Sequence, residues 1–270
     1  MLTPIQFICN IMIKGLPKVL VVDDEQDILE LIRHSLAKEG FDLVLVARDL
    51  PRLNKVAKEL GKTFGIKTEC IKADLTKPAQ LAKVEKRLAS TSKPIEVLVN
   101  NAGFGIKDSF LASDLNREQE LLDVLVTAPM RLTHAVLPAM VKRNKGVIVN
   151  VSSVASFIAG GTYSAAKSYL TVFTEYLHTE LRDTNIKVSA LCPGFTKTEF
   201  HARGNMKMGG LPNYMWTDVN NVVKKSWKYA KAGKVICIPG WQYMLLSTIA
   251  RIAPRPIVRK AGINVRRKQR

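Results

Sequence analysis

KVLVVDDEQDILELIRHSLAKEGFDLVLVARD, residues 18 to 49, carries the fold in outline. A short apolar run, KVLVV, is followed by DILELIRHSLAKEG, whose apolar residues recur at helical spacing, and then by a second apolar run, DLVLVA. Gly40 stands where a helix C-cap would take a left-handed conformation. The same alternation continues along the chain. KTECIKA, IEVLVN, GVIVNVS, KVSALC and KVICIP read as further strands, and LNKVAKEL, LAKVEKRLA and LLDVLVTAPMRLTHAVLPAMVKR have helical period. Seven strands separated by amphipathic helices predict an α/β protein: a Rossmann-type doubly wound parallel sheet in a three-layer α/β/α single domain. Its ligands belong at the carboxyl ends of the strands.

At 270 residues the chain can bury one large core and little more. Hydrophobic content of 47% with 24% charged residues is that of a globular protein. No apolar run reaches the roughly 20 residues that span a bilayer. MLTPIQFICNIMI is apolar but interrupted by Gln6 and Asn10, so residues 1–17 read as an extension and not a targeting segment. Cys9, Cys70, Cys192 and Cys237 form no C-x-x-C pair and suit reduced cytoplasmic thiols. No metal site is expected. The net charge of +18 is uneven: between 219 and 270 there are 13 Lys or Arg and no acid. We therefore divide the chain into the extension, a domain over 18–240 and an apolar, basic tail over 241–270. The tail carries no reader motif of nucleic-acid binding, which counts against that reading for it. An anionic membrane surface is a second expectation for it, beside a solvated terminus or a substrate lid.

The chemistry gathers in TYSAAKSYL, residues 162–170. Tyr163 and Lys167 are four residues apart and share a helix face. A phenol ordinarily titrates near 10, and a neighbouring ammonium favours its phenolate. Upstream, GVIVNVSSVAS ends a strand with Ser152 and Ser153, hydroxyls suited to hold a carbonyl or alcohol oxygen. Y-x-x-x-K alone is a weak signal, because any helix surface can carry such a pair. VLVNNAGFG at 97–105 and LCPGFTKTEF at 191–200 add two more strand ends with polar, glycine-bearing turns.

Asn-Asn-Ala-Gly, then Ser before Tyr-x-x-x-Lys, then Pro-Gly-x-x-x-Thr, in that order, resemble the short-chain dehydrogenase/reductase family from about Asp42 to Pro239. The resemblance implies a nicotinamide-dependent oxidoreductase acting on a small carbonyl or alcohol substrate, and a homo-oligomer. It implies that Tyr163 is general acid or base, that Lys167 lowers its pKa and meets the nicotinamide ribose, and that Ser153 positions the substrate oxygen. Asp74 would meet the adenine, Asn100, Asn101, Ala102 and Gly103 would line the cofactor, and Pro193, Gly194 and Thr198 would lie near the nicotinamide. Arg48 ends the second strand, where a base accommodates a 2′-phosphate, so NADP is expected before NAD.

Three departures stand against this pattern. Leu125 occupies the place of an Asn that binds a relay water in the family. Ser153 and Tyr163 are about three residues closer than usual, with Gly160 and Gly161 in the shortened loop and Ser152 and Ser156 as substitute hydroxyls. In VDDEQDIL, residues 22–29, Asp23, Asp27 and Leu29 replace the glycines of the phosphate loop. A carboxylate about 5 Å from a phosphate charge costs roughly 3 kcal/mol at an effective dielectric near 20. Residues 18–41, with Asp23 and Asp24, instead resemble the first strand and helix of a response-regulator receiver domain, which suggests a chimera. A non-enzymatic Rossmann or flavodoxin-like fold without cofactor is therefore the alternative reading, and a receiver-like phosphoryl switch a third.

Overall fold

The computed structural model describes residues 17–22, 36, 37, 39–196, 212–260 and 262. The acid-bearing stretch 23–29 and Thr198 lie outside them. Seven parallel strands form one sheet: β1 Lys18–Val22, β2 Asp42–Ala47, β3 Thr68–Lys72, β4 Ile95–Asn100, β5 Gly146–Val151, β6 Ile186–Leu191 and β7 Ile236–Cys237. Their order is β3-β2-β1-β4-β5-β6-β7, and the chain reverses direction across the sheet between β1 and β4. That switch point, where ligands bind in open α/β sheets, lies beside Val22 and Asn100, which pair in register.

The strands read correctly because the sheet is covered on both faces, which makes each central strand apolar throughout. Val19, Leu20, Val21 and Val22 are all 2% exposed or less. Val19 and Val21 face one layer with Leu53, Val56 and Leu60 of α1 (Leu50–Phe64) and Val222, Trp227 and Ala230 of α6 (Val219–Lys231). Leu20 and Val22 face the other, with α2 (Pro78–Leu88), α4 (Ala128–Arg143) and α5 (Thr162–Glu180). Asp49 caps α1 by accepting from the Arg52 amide at 3.0 Å, and Gly65 ends it at φ 67°. Gly40 takes φ 81°, with its amide on the Ala37 carbonyl and that of Phe41 on Leu36, as a C-cap requires.

The helix expected from DVLVTAP is interrupted. Between α3 (Leu115–Leu122) and α4, residues Asp123–Thr127 form a π turn in which the Ala128 amide reaches back to the Asp123 carbonyl. Pro129 explains it. A proline has no N–H to give the carbonyl four residues earlier, here Leu125, and its ring would strike that carbonyl in a regular helix. The combined stretch Leu115–Arg143 is long and apolar enough to cross a membrane by length and composition. Its Leu121, Leu125, Leu132, Val136 and Met140 are nevertheless 1% exposed or less, so it packs as a core helix.

Residues Trp241–Ile252, at the start of the expected tail, form helix α7, and residues 255–260 are also helical. Tyr243, Gln242 and Ser247 of α7 are buried against the domain.

A polar chain crosses the core behind the switch point. Asn100 donates to Asn150 at 2.8 Å, Asn150 donates to the Thr174 hydroxyl at 2.9 Å, and that hydroxyl donates to the Leu170 carbonyl at 2.7 Å. It pins β4 to β5 and β5 to α5. Thr174→Val keeps the shape but removes the acceptor of a fully buried amide. We predict a loss of about 1–3 kcal/mol, read as a lower urea midpoint at unchanged slope.

Candidate active site

The site is assembled where β5 ends and α5 begins. Gly161, at φ 95°, turns the chain into α5, whose first two turns carry Tyr163 and Lys167. Lys167 is 3% exposed. Its Nζ donates to the Val151 carbonyl at 2.6 Å and lies 5.7 Å from the centre of the Tyr163 ring. The ring packs with Phe104, Ile106, Leu121 and Leu125, so the phenol and ammonium share an apolar wall.

The three candidate hydroxyls separate by their partners. Ser152 is buried, with its Oγ donating to the Lys167 carbonyl at 2.9 Å and lying 2.7 Å from the Thr171 hydroxyl, so it pegs β5 to α5. Ser153 is half-buried at the strand end and accepts from the Ala155 amide at 3.1 Å, which does not use its hydroxyl proton. Ser156 lies one turn on; its Oγ is buried without a hydrogen-bond partner among the described residues, and its carbonyl accepts from Ser168.

The Asn-Asn-Ala-Gly turn closes the same space from the β4 side. The Ala102 amide donates to the Val22 carbonyl at 2.8 Å, tying the turn to β1. A Cβ on Gly103 would fall 2.8 Å from Leu125 Cδ2, so a side chain there would push Leu125 aside, and 3.7 Å from Lys167 Nζ, in ordinary contact. Asn100 behaves differently from its neighbours. It is 4% exposed and its amide group is committed to Asn150 and Thr133, which makes its side chain a strut behind the site, apart from the open turn of Asn101 to Gly103.

At the outer edge, Arg48 and Asp74 follow β2 and β3. Partial burial raises the Asp74 pKa, but hydrogen bonds from the Thr76 hydroxyl and amide, with the charges of Arg48 and Lys77, outweigh this and hold it below the usual carboxylate value. Asp74 is therefore an anion beside a cation. At the opposite edge the Pro193 carbonyl accepts from the Val154 amide at 3.0 Å, joining the Pro-Gly turn to the residue after Ser153. Gly194 lies directly beneath the Tyr243 ring, in contact with it where a Cβ would be. Burial raises the Tyr243 phenol despite the Phe195 amide that it accepts at 3.0 Å, and the hydroxyl donates to the Met215 carbonyl. Cys192 and Cys237 are buried here as thiols; burial, opposed by Lys225, pushes Cys237 up to about 12. Neither is a nucleophile at neutral pH.

A family profile described as short chain dehydrogenase matches residues 18–208. This chain belongs to the short-chain dehydrogenase family. It is 30% identical over 234 residues to an uncharacterized oxidoreductase of Myxococcus xanthus, covering 86% of this chain and 90% of that one. It is 33% identical over 162 residues to the NADP-dependent 3-hydroxy acid dehydrogenase of Schizosaccharomyces pombe, covering 58% and 62%. Among solved structures, a short-chain dehydrogenase from Sphingobium yanoikuyae in complex with NADPH superposes with a TM-score of 0.77 at 31% identity, covering 87% of this chain and 94% of that one. The protein is thus an oxidoreductase of this family. The match begins at residue 18, so 18–41 falls inside it, and the receiver-like reading of that stretch gains no support.

As a short-chain dehydrogenase the chain carries features that its motifs did not announce. Leu125 sits on the π turn and presents carbon to Gly103 and Tyr163. Pro129 was the available signal for that turn. The shortened loop between Ser153 and Tyr163 is covered by the C-terminal segment: Arg251 stacks over Phe157 at 4.5 Å, and Gly262 meets the backbone of Ala159. Gly194→Ala forces a methyl into the Tyr243 ring. We predict a loss of about 1–3 kcal/mol, with faster proteolytic release of the C-terminal segment; unchanged cleavage and midpoint would show that α7 is held by other contacts.

Proposed function

We propose that the protein is an NADP-dependent oxidoreductase that interconverts a carbonyl and an alcohol, with Tyr163 as general acid or base. The observation that carries this reading is the buried Lys167 ammonium, set between the Tyr163 ring, the Val151 carbonyl and the bare face of Gly103. In the reductive direction the Tyr163 hydroxyl gives its proton to the substrate oxygen, and the Lys167 ammonium stabilises the phenolate left behind. Ser153, at the strand end, offers its hydroxyl proton to the same oxygen. Leu125 gives no polar side chain for returning a proton to Tyr163, so that return uses another group or is slower.

The residues fit a nicotinamide dinucleotide along the carboxyl edge of the sheet. Asn101 to Gly103, Tyr163, Lys167, Pro193, Gly194 and, beyond the described residues, Thr198 would hold its nicotinamide half. Arg48 and Asp74 would hold the 2′-phosphate and adenine. When bound, the cofactor supplies or takes up the hydride. Support for NADP comes from Arg48, from the NADPH complex of the Sphingobium protein and from the NADP dependence of the Schizosaccharomyces pombe relative. In the sequence, acids at 23–27 stand where the family's phosphate loop has glycines, so we infer weaker binding than the other segments suggest. Met130, Val141, Val172 and Tyr176, exposed on α4 and α5, favour a homo-oligomer, and a cytoplasmic setting suits the free thiols.

Tyr163→Phe should lower kcat by about 10²–10⁴-fold with the thermal midpoint unchanged; undiminished turnover would remove Tyr163 from the reaction. Ser153→Ala should lower kcat in a fold of wild-type stability, whereas Ser152→Ala should lower stability first. Arg48→Asp should weaken NADP more than NAD, because it exchanges a charge-assisted contact for repulsion at the 2′-phosphate. Equal loss for the two in a binding titration would place Arg48 elsewhere.

A further inference from the structure

Helix α7 is amphipathic in the reverse of the usual sense. Its inner face is fixed to the domain by Tyr243, by Gln242, whose Nε2 donates to the Tyr214 carbonyl at 3.0 Å, and by Arg251 on Phe157. Its outer face carries Trp241, Leu245, Ile249 and Ile252, at steps of four, four and three residues, with Met244 beside them. Trp241 is 72% and Ile252 79% exposed, and Ile257 continues the apolar surface into the next helical segment. Six large apolar side chains on one solvent-facing surface are more than the scattered exposure of an ordinary protein.

The charge around this face identifies its occupant. Arg255, Arg259 and Lys260 are exposed beside it, and no acid follows Asp218 in the sequence. A second copy placed on the same face by two-fold symmetry would set these cations against themselves with no carboxylate in the segment to answer them. An anionic lipid surface answers both the charge and the apolar face, and an exposed Trp suits the bilayer interface. We propose that α7 and residues 255–260 dock the protein onto anionic bilayers. The face is already ordered by its contacts with the domain, so docking needs no folding step. This inference is independent of the reaction assigned above.

The full chain should co-sediment with phosphatidylserine–phosphatidylcholine vesicles and not with phosphatidylcholine alone. Binding should fall steeply towards physiological salt, where exposed charges are screened over about 8 Å. Leu245→Glu with Ile252→Glu should reduce sedimentation to the level seen with phosphatidylcholine alone. Arg255→Gln, Arg259→Gln and Lys260→Gln should each lower partitioning about fivefold. Failure of the unaltered protein to bind at low salt would overturn the proposal without touching the reductase reading. So would binding that survives the two glutamates. If those glutamates instead dissociate an oligomer while the unaltered protein ignores vesicles, the face belongs to a second copy.

Discussion

A lysine ammonium that is 3% exposed cannot remain charged in an apolar wall unless hydrogen-bond acceptors are brought to it. Much of the local architecture meets that requirement for Lys167. The last residue of β5 turns its carbonyl to Nζ, and Ser152 and Thr171 lock that strand end to the helix that carries the lysine. The Asn-Asn-Ala-Gly turn approaches without a side chain at Gly103, and its position is held from behind by the Val22 carbonyl. Tyr163 is placed one helical turn away by the same helix, so the phenol and the ammonium are fixed relative to each other before any ligand arrives. Such fixed placement is what charge stabilisation at a reacting oxygen requires.

Behind this arrangement stands a second, neutral layer. Asn100, Asn150 and Thr174 cross three elements with hydrogen bonds that have no route to solvent. Low local dielectric makes such a chain stiff when its groups are paired and costly when one is removed. The strand end at Asn100, and the turn that follows it, therefore inherit their position from a core network. The Asn100 side chain turns into the core, where its amide meets Asn150 and Thr133.

The strands and the principal site motifs were legible in the sequence because both rest on short-range rules. Continuous apolar runs mark strands buried on two faces, and Tyr163 and Lys167 are brought together by helix geometry alone. Asn100 was placed with the cofactor because a motif names residues and not directions. The resemblance prefers Ser153 to Ser152, but only the position of α5 shows which hydroxyl is consumed in packing. Helix α7 was read as part of a tail for a physical reason: its large apolar residues face outward, while Tyr243, Gln242 and Ser247 face the domain. Hydrophobic spacing locates a helix but cannot show which of its faces the fold will cover.

Tyr243 has one more consequence. Its hydroxyl joins the Phe195 amide to the Met215 carbonyl, and close by the Thr217 amide donates to the Phe195 carbonyl at 2.9 Å while Thr196 and Thr217 join hydroxyls at 3.0 Å. Residues 195–196 and 215–217 thus form a base fastened by their own groups and by Tyr243 of α7. Closing a connection of n residues costs free energy only as the logarithm of n, and here the ends are already together. Changes of length between Thr196 and Met215 therefore cost this base little.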